Sequence, residues 1–172
     1  MPTPSTAARG DESHWIVVDG RRWRATDPSI PEPFRRELVD ELMTARREVA
    51  RARKAGDPEA ERIARRRVQH AKVALGERGE PWWEEPTPKG RSARLRAVVL
   101  ALVGHRAPRT ICPSDAARAV GGTEWRALLE PVRDEVRALG RDGEVEVTQR
   151  GEILDPNGPW RGPVRIRARS GT

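Results

Sequence analysis

The sequence predicts an α+β protein with a β-hairpin, an antiparallel helical hairpin, and a C-terminal domain of three helices and a small antiparallel sheet. Three observations predict this fold. Asp19-Gly20 separates two extended, aromatic-rich runs, a strong hairpin signal because a type I′ turn needs positive φ at both central residues. Two apolar patterns with helical spacing follow within residues 34–75. Residues 144–149 and 163–168 alternate between apolar and charged side chains, as half-buried strands do.

Length and composition restrict the class of protein. The chain has 172 residues and a net charge of +7, and 30 of its 33 cations are Arg. Arg suits bidentate phosphate contact, although genomic base composition also produces an Arg bias. The one cysteine, Cys112, excludes an internal disulfide framework and a cysteine zinc site. No apolar run is long enough to span a membrane, and Met1 to Gly10 lack signal-peptide features, so we expect a cytoplasmic protein.

Charge and composition divide the chain into four segments. Residues 1–12 are predicted to be a disordered tail, and residues 13–78 a module of β-hairpin and helical hairpin. Residues 79–90 are rich in Pro and Trp and have one Lys against three Glu, which indicates an acidic linker. Residues 91–172 form the last domain, in which 15 Arg outnumber ten acids.

The hairpin register follows from its two-residue turn. Val18 is opposite Arg21 and Ile16 is opposite Trp23, so Ile16, Val18 and Trp23 share one face. A lone hairpin is only marginally stable in water. We therefore expect this face to pack on the helices that follow.

Two helices are expected after the hairpin. The first is predicted to end at Gly56, and the second to begin after the Asp57 cap and to stop at Gly76. The inward residues expected in the first helix are Phe34, Leu38, Leu42, Ala45 and Val49, and those in the second are Ala60, Ile63, Ala64, Ala71 and Leu75. The run Arg65 to Arg67 is interpreted as a solvated helix face, with a phosphate patch as the alternative.

The elements after residue 90 follow the order of a winged helix. We predict a helix from Arg94 to Val103, a short extended piece at residues 110–112, and a helix capped by Ser114. A third helix, capped by Thr123, runs from Glu124 to about Arg141, and two strands with a long turn between them complete the order. In winged helices the third helix enters the major groove and the wing contacts the backbone or minor groove.

The third helix has two distinct faces. Its predicted core face consists of Trp125, Leu128, Leu129, Val132, Val136 and Leu139. Its outer stripe consists of Arg126, Arg133, Arg137 and Arg141, interrupted by Glu130. Pro131 predicts a kink or a broken first turn. The stripe is expected to face solvent, either to bind DNA or RNA or simply as the soluble side of an amphipathic helix.

Further candidate contacts lie on the predicted wing and in the linker. Arg150, Arg161 and Arg165 are placed on the wing, where their guanidiniums would reach phosphates. Trp160, beside Arg161 on the wing, is a candidate nucleic-acid contact that would stack on bases, anchor a partner, or pack back onto the protein. Trp82 and Trp83 would stack on bases, anchor a partner, or pack back onto the protein.

Four sequence blocks carry a family resemblance. They are Thr110-Ile-Cys-Pro-Ser-Asp-Ala-Ala-Arg118, Trp125-Arg-Ala-Leu-Leu-Glu-Pro-Val-Arg133, Thr148-Gln-Arg-Gly151 with Asp155-Pro156, and Gly162-Pro-Val-Arg-Ile-Arg167. Through them, the segment from about Ala93 to Arg169 resembles an uncharacterised bacterial family, a domain of unknown function with a winged-helix fold. The resemblance implies the fold and no activity. The insert from Asn157 to Arg161 departs from the family pattern.

These observations favour a non-catalytic protein that binds nucleic acid, duplex DNA in particular. The alternative is a protein-interaction adaptor that uses the winged helix and the helical hairpin, because winged helices also serve as protein-binding modules. No catalytic constellation, cofactor motif, metal-like spacing or small-molecule site is found, since His14, His70 and His105 lie in different predicted elements.

Overall fold

The N-terminal hairpin forms in the predicted register. The computed structural model describes residues 12–169, so all but one residue of the predicted tail lies outside the described part. Strands β1 (Trp15–Val18) and β2 (Arg21–Arg24) pair Ile16 with Trp23 and Val18 with Arg21, as predicted. Asp19 and Gly20 have φ angles of 51° and 74°, the positive values that the turn requires.

The face shared by Ile16, Val18 and Trp23 is not covered as expected. These three side chains remain 50%, 49% and 43% exposed, so the prediction that the helices bury this face is wrong. The hairpin is instead attached through its other end. There Ala25 accepts a hydrogen bond from the Trp82 indole, at 3.0 Å, and the His14 ring stacks on Trp83 with 4.1 Å between centroids.

Helices α1 (Glu32–Ala55) and α2 (Pro58–Ala74) are antiparallel neighbours, as predicted. Gly56 ends α1 in the left-handed conformation, and the Asp57 carboxylate caps α2 by accepting the Ala60 N–H at 2.9 Å. The prediction that Ile63 faces inward is wrong, since it is 48% exposed. Ile63 is about 100° around the helix from the buried Ala64, so packing through small alanines leaves it in solvent.

Arg65, Arg66 and Arg67 are all paired with carboxylates. Arg67 donates two hydrogen bonds, at 2.8 and 3.0 Å, to Glu41 of α1, which is only 2% exposed. These hydrogen bonds raise the pKa of Arg67. Arg66 reaches Glu144, at 2.7 Å, and Arg65 reaches Glu61 on its own helix. Arg66 and Arg67 therefore join α2 to neighbouring elements, and Arg65 and Arg66 lie exposed, as the interpretation of a solvated helix face expects.

Four helical segments follow the linker: α3 (Pro88–Arg106), α4 (Pro113–Gly121), a 3-10 segment (Gly122–Leu128) and α5 (Leu129–Arg141). Helix α3 begins earlier than predicted because Thr87 caps it, accepting the Gly90 N–H at 3.0 Å. Helix α4 begins after Cys112 and not after Ser114, because the Asp115 carboxylate accepts the Cys112 N–H at 2.9 Å.

The predicted single helix over residues 124–141 is divided in two. The 3-10 segment gives way to α5 at Leu129, which places Pro131 in the first turn of the new helix. Its missing N–H costs no hydrogen bond there, because the first four amides of a helix have no intrahelical acceptor. The broken first turn predicted at Pro131 is confirmed.

A second, separate antiparallel sheet has the order β4-β3-β5. Strands β3 (Val145–Gln149) and β5 (Arg165–Ala168) pair as predicted, while β4 (Glu152–Ile153) was not predicted. Ile111 makes an isolated antiparallel bridge to Ile166, which confirms the short extended piece before α4.

Helix α3 lies at the centre of one continuous apolar core. The cluster joins Leu38 and Leu75 of the helical hairpin, through Leu102 of α3, to Val136 and Ile166. Trp125 and Leu128 are only partly buried, so the prediction that they lie fully within the core is wrong. Both residues belong to the 3-10 segment, which contributes no buried residue to the core.

The central position of α3 predicts how two apolar substitutions differ. Leu102→Ala is expected to lower the free energy of unfolding by about 2–5 kcal/mol, because Leu102 is fully buried and its removal leaves a cavity. Ile63→Ala, at the exposed position on α2, is expected to change it by less than about 1 kcal/mol. Urea denaturation followed by circular dichroism measures both, and equal losses would contradict the assigned core.

Candidate nucleic-acid interface

The structure separates the predicted contact residues into a set packed against one another, partly or fully buried, and an exposed set. Arg133 and Arg137 of α5 meet Trp160, which lies in residues 150–164, the segment between β3 and β5 that we call the return loop. The exposed set consists of Arg126, Arg141, Arg150, Arg161 and Arg165.

Trp160 is a core residue of this region. Only 8% of it is exposed, and its indole N–H donates to the Asp155 carbonyl at 2.9 Å. The Arg137 guanidinium carbon lies 3.9 Å from the ring centroid and that of Arg133 lies 5.8 Å away. Trp160 as a nucleic-acid contact stays a prediction, and it would require movement of the return loop, because Arg137 already lies over the ring and little of the side chain is exposed. We call Trp160, Arg133 and Arg137 the arginine–tryptophan stack.

The two arginines of the stack also bind the return loop directly. Arg137 donates to the carbonyls of Pro156, at 2.9 Å, and Gly158, at 2.7 Å. Arg133 donates to the Trp160 carbonyl at 3.1 Å. The prediction that both side chains face solvent is therefore wrong. Helical spacing places them opposite the core correctly, but it does not indicate that a distant loop covers that side of α5.

The return loop follows a defined path across α5. The Asp155 carboxylate accepts the Asn157 N–H at 2.9 Å, which forms a tight turn. A Cβ on Gly140 would lie only 3.0 Å from Pro156 Cγ, so glycine permits the close approach of the loop to the helix. Gln149 ties the other side of the loop by donating to the carbonyls of Arg161, at 2.6 Å, and Pro163, at 2.8 Å.

Three of the exposed arginines lie at one end of the second sheet. Arg150 directly follows Gln149, the last residue of β3, and the Gln149 side chain holds the backbone of Arg161. Arg165 pairs with Thr148 in the ladder and donates to the Thr110 hydroxyl at 2.8 Å. Within residues 12–169, none of the three guanidiniums forms an ion pair with a carboxylate. We call Arg150, Arg161 and Arg165 the sheet-end cluster.

Two further exposed cations meet at Trp125 of the 3-10 segment. The guanidinium carbons of Arg118, in α4, and Arg126 each lie 4.6 Å from the ring centroid of Trp125, so two cations contact the same indole. Sequence analysis identified Arg126 and missed Arg118, because only the packing of α4 against the 3-10 segment brings Arg118 to this ring. Both cations remain exposed.

The exposed side of α5 is poorly suited to a polyanion. Glu130 and Asp134 are exposed on this helix and have no cationic partner among the described residues. By helical spacing they fall within the same stripe as Arg133 and Arg137, whose guanidiniums are already bound to the return loop. The sheet-end cluster and the 3-10 segment also carry exposed acids, Glu152 and Glu124, so what distinguishes them from α5 is that their guanidiniums are not held by the return loop.

Three other features of the described residues bear on function: candidate metal ligands, the cysteine thiol and the length of the helices. No group of three or more His, Cys, Asp or Glu there is arranged to hold a metal ion. The Cys112 thiol is free and partly buried. Among the helices of residues 12–169, none has the length and apolarity needed to cross a membrane.

Comparison with known proteins finds a similarity for the C-terminal part of the chain. Residues 92–169 match the model of a family described as a protein of unknown function, DUF3253. This confirms the resemblance carried by the four sequence blocks, and the match spans 78 of the 172 residues, from 92 to 169. The family description names no activity. No curated protein matches the chain.

The contacts of Arg137 predict that this residue stabilises the return loop. Arg137→Met is expected to lower the free energy of unfolding by about 1–3 kcal/mol, because two partly buried carbonyls lose a charged donor. Amide hydrogen exchange across residues 150–164 is also expected to accelerate. Arg141→Met, one turn further along α5 at an exposed position, is the matched control and should leave both quantities near wild type. Identical exchange in the two variants would contradict the role of the stack.

Proposed function

We propose that residues 92–169 form a winged-helix domain that binds duplex DNA through its wing, with α5 serving as support for the wing. The order of elements supports the winged-helix assignment: three helical stretches, the Ile111 bridge, and the antiparallel pair β3 and β5. In this assignment, the return loop is the wing. The observation that carries the proposal is the sheet-end cluster, three exposed guanidiniums without carboxylate partners in the described structure.

Each cation has a distinct role in this proposal. Arg150, Arg161 and Arg165 contact phosphates, and Arg118 and Arg126 extend the contact along the 3-10 segment. Arg141, exposed at the end of α5, is a further phosphate contact. The arginine–tryptophan stack positions the wing and does not touch the DNA. Contacts of this kind give affinity and register without reading sequence.

The adaptor alternative depends on three Trp side chains as anchors for a partner, and all three are engaged in contacts within the protein. The Trp82 indole N–H is bound to the Ala25 carbonyl, the Trp83 ring stacks on His14, and Trp160 is buried. A partner would have to displace these contacts to use the three rings. Nucleic-acid binding by the wing requires no such rearrangement, and the proposed function remains non-catalytic.

Binding of this kind predicts a moderate salt dependence. If about 3 to 5 of the six cations that we assign to phosphates each neutralise one, the slope of log affinity against log salt concentration should lie between about −2.7 and −4.5. Fluorescence anisotropy with a 20-base-pair duplex of mixed sequence, titrated at salt concentrations from 50 to 200 mM, measures the slope. A slope near zero would contradict binding through phosphates.

The sheet-end cluster predicts which cations matter. Arg150→Gln with Arg161→Gln should weaken binding at 50 mM salt by at least about tenfold, and should make the slope shallower by about 1.8, because two phosphate contacts are lost. The matched control is Arg51→Gln with Lys54→Gln, which removes the same charge from exposed positions at the end of α1.

The control distinguishes a local site from overall charge. It should retain most of the affinity of the wild type, because the wing is unchanged. Equal loss in the two double variants would mean that net charge alone attracts DNA. Undiminished binding in the wing variant would reject the proposed site. Circular dichroism and the melting temperature establish that both variants are folded.

A further inference from the structure

A groove separates the N-terminal hairpin from the helices beside it. It has a volume of about 670 Å³ and lies between one face of the hairpin, α1 and the end of α2. Trp82 and Trp83 hold the hairpin at the end opposite its turn, at Ala25 and His14, so these contacts do not fill the groove between the hairpin and α1. This region contains none of the residues assigned to DNA binding.

The walls of the groove are apolar and exposed. Ile16, Val18 and Trp23 line one wall, and Met43 of α1, 38% exposed, lines the other. A hairpin of this length is marginal without packing on its apolar face. Exposed apolar side chains gathered in one concave place mark an interaction site more often than scattered ones do.

Cationic side chains line the groove beside its apolar walls. The Lys72 side chain lines the groove and is 7% exposed, with its ammonium 5.0 Å from the centroid of the Trp23 ring. Its nearest carboxylate, that of Glu77, is 4.0 Å away, a longer separation than a hydrogen-bonded ion pair has. Burial lowers the pKa of Lys72, so the ammonium is incompletely compensated. Arg21 and Arg46 add exposed cations at the rim.

We propose that this groove binds an amphipathic acidic segment of a partner protein, with apolar side chains against Ile16, Trp23 and Met43 and a carboxylate paired with Lys72. Charge complementarity selects this occupant. The groove is lined by four cations, Arg21, Arg24, Arg46 and Lys72, against two acids, Asp19 and Glu77. A second copy of the chain would bring a net charge of +7 to a basic site, so self-association is disfavoured.

Selection from a random 12-residue peptide library displayed on phage tests the proposal, with the full chain as bait. Enriched peptides should combine Leu, Ile, Phe or Trp with Asp or Glu. Absence of enrichment, or enrichment of basic peptides, would overturn the proposal. A dimer in sedimentation velocity that dissociates on groove substitution would also overturn it, because the occupant would then be a second copy.

A matched pair of hairpin variants locates the binding. Ile16→Asp places a charge in the groove, whereas Val17→Asp places the same charge on the opposite face of β1, where Val17 is 67% exposed. Affinity for a synthetic enriched peptide, measured by isothermal titration calorimetry, should fall at least about tenfold in the first variant and stay within about twofold in the second. Equal affinities in the two variants would place the peptide elsewhere and reject the groove.

Lys72→Met tests the carboxylate contact separately from the apolar one. The variant keeps an unbranched side chain of similar length, so the apolar walls are retained. It should bind the enriched peptide about tenfold more weakly but bind a version with Asn and Gln in place of Asp and Glu as well as the wild type does. A variant that still prefers the acidic peptide to the same degree would overturn the role of Lys72. DNA affinity should be unchanged in all three variants, which distinguishes failure of this inference from failure of the DNA-binding proposal.

Discussion

The contact between Trp160 and the guanidiniums of α5 is the constraint on which the interface depends. The return loop lacks regular structure over most of its length, and its backbone carbonyls need donors. Arg137 and Arg133 supply them, and the indole buries its face against both side chains. A loop fixed in this way presents Arg161 at a defined position, since Arg161 directly follows Trp160. The same contacts engage Arg133 and Arg137, the middle members of the predicted stripe, and leave Arg126 and Arg141 exposed.

A second constraint joins the two halves of the molecule. Arg106, at the end of α3, donates to Glu37 of α1, at 2.7 and 2.9 Å, and to Asp115 of α4, at 2.9 Å. Both carboxylates raise the pKa of Arg106, which stays charged at any physiological pH. Arg94 likewise binds Asp27, at 2.5 Å, where the chain leaves the hairpin. Removing one member of such a partly buried pair leaves the others unpaired, so the pairs restrict how the N-terminal elements sit on α3.

Local signals predicted local structure well, and tertiary contacts explain the rest. The Asp19-Gly20 turn predicted the hairpin register correctly. The helix boundaries at Gly56 and Asp57 were also predicted correctly, because capping depends on residues that are neighbours in sequence. The stripe of α5 was identified correctly by its period. Its outer members, Arg126 and Arg141, are exposed as predicted, whereas the exposure of Arg133 and Arg137 was misjudged because the loop that contacts them lies about twenty residues away in sequence. Arg118 was missed for the same reason. No periodicity encodes which distant segment packs on a helix face.

Arginine side-chain NMR tests most directly whether the wing, and not Arg133 and Arg137 of α5, meets the nucleic acid. In ¹⁵N-labelled protein, each guanidinium Nε–H gives its own signal, and titration with a 20-base-pair duplex reports which ones are contacted. The account predicts that the signals of Arg150, Arg161 and Arg165 shift, while those of Arg133 and Arg137 stay in place because the return loop holds them. Shifts centred on Arg133 and Arg137, with Arg150 and Arg161 unchanged, would contradict it.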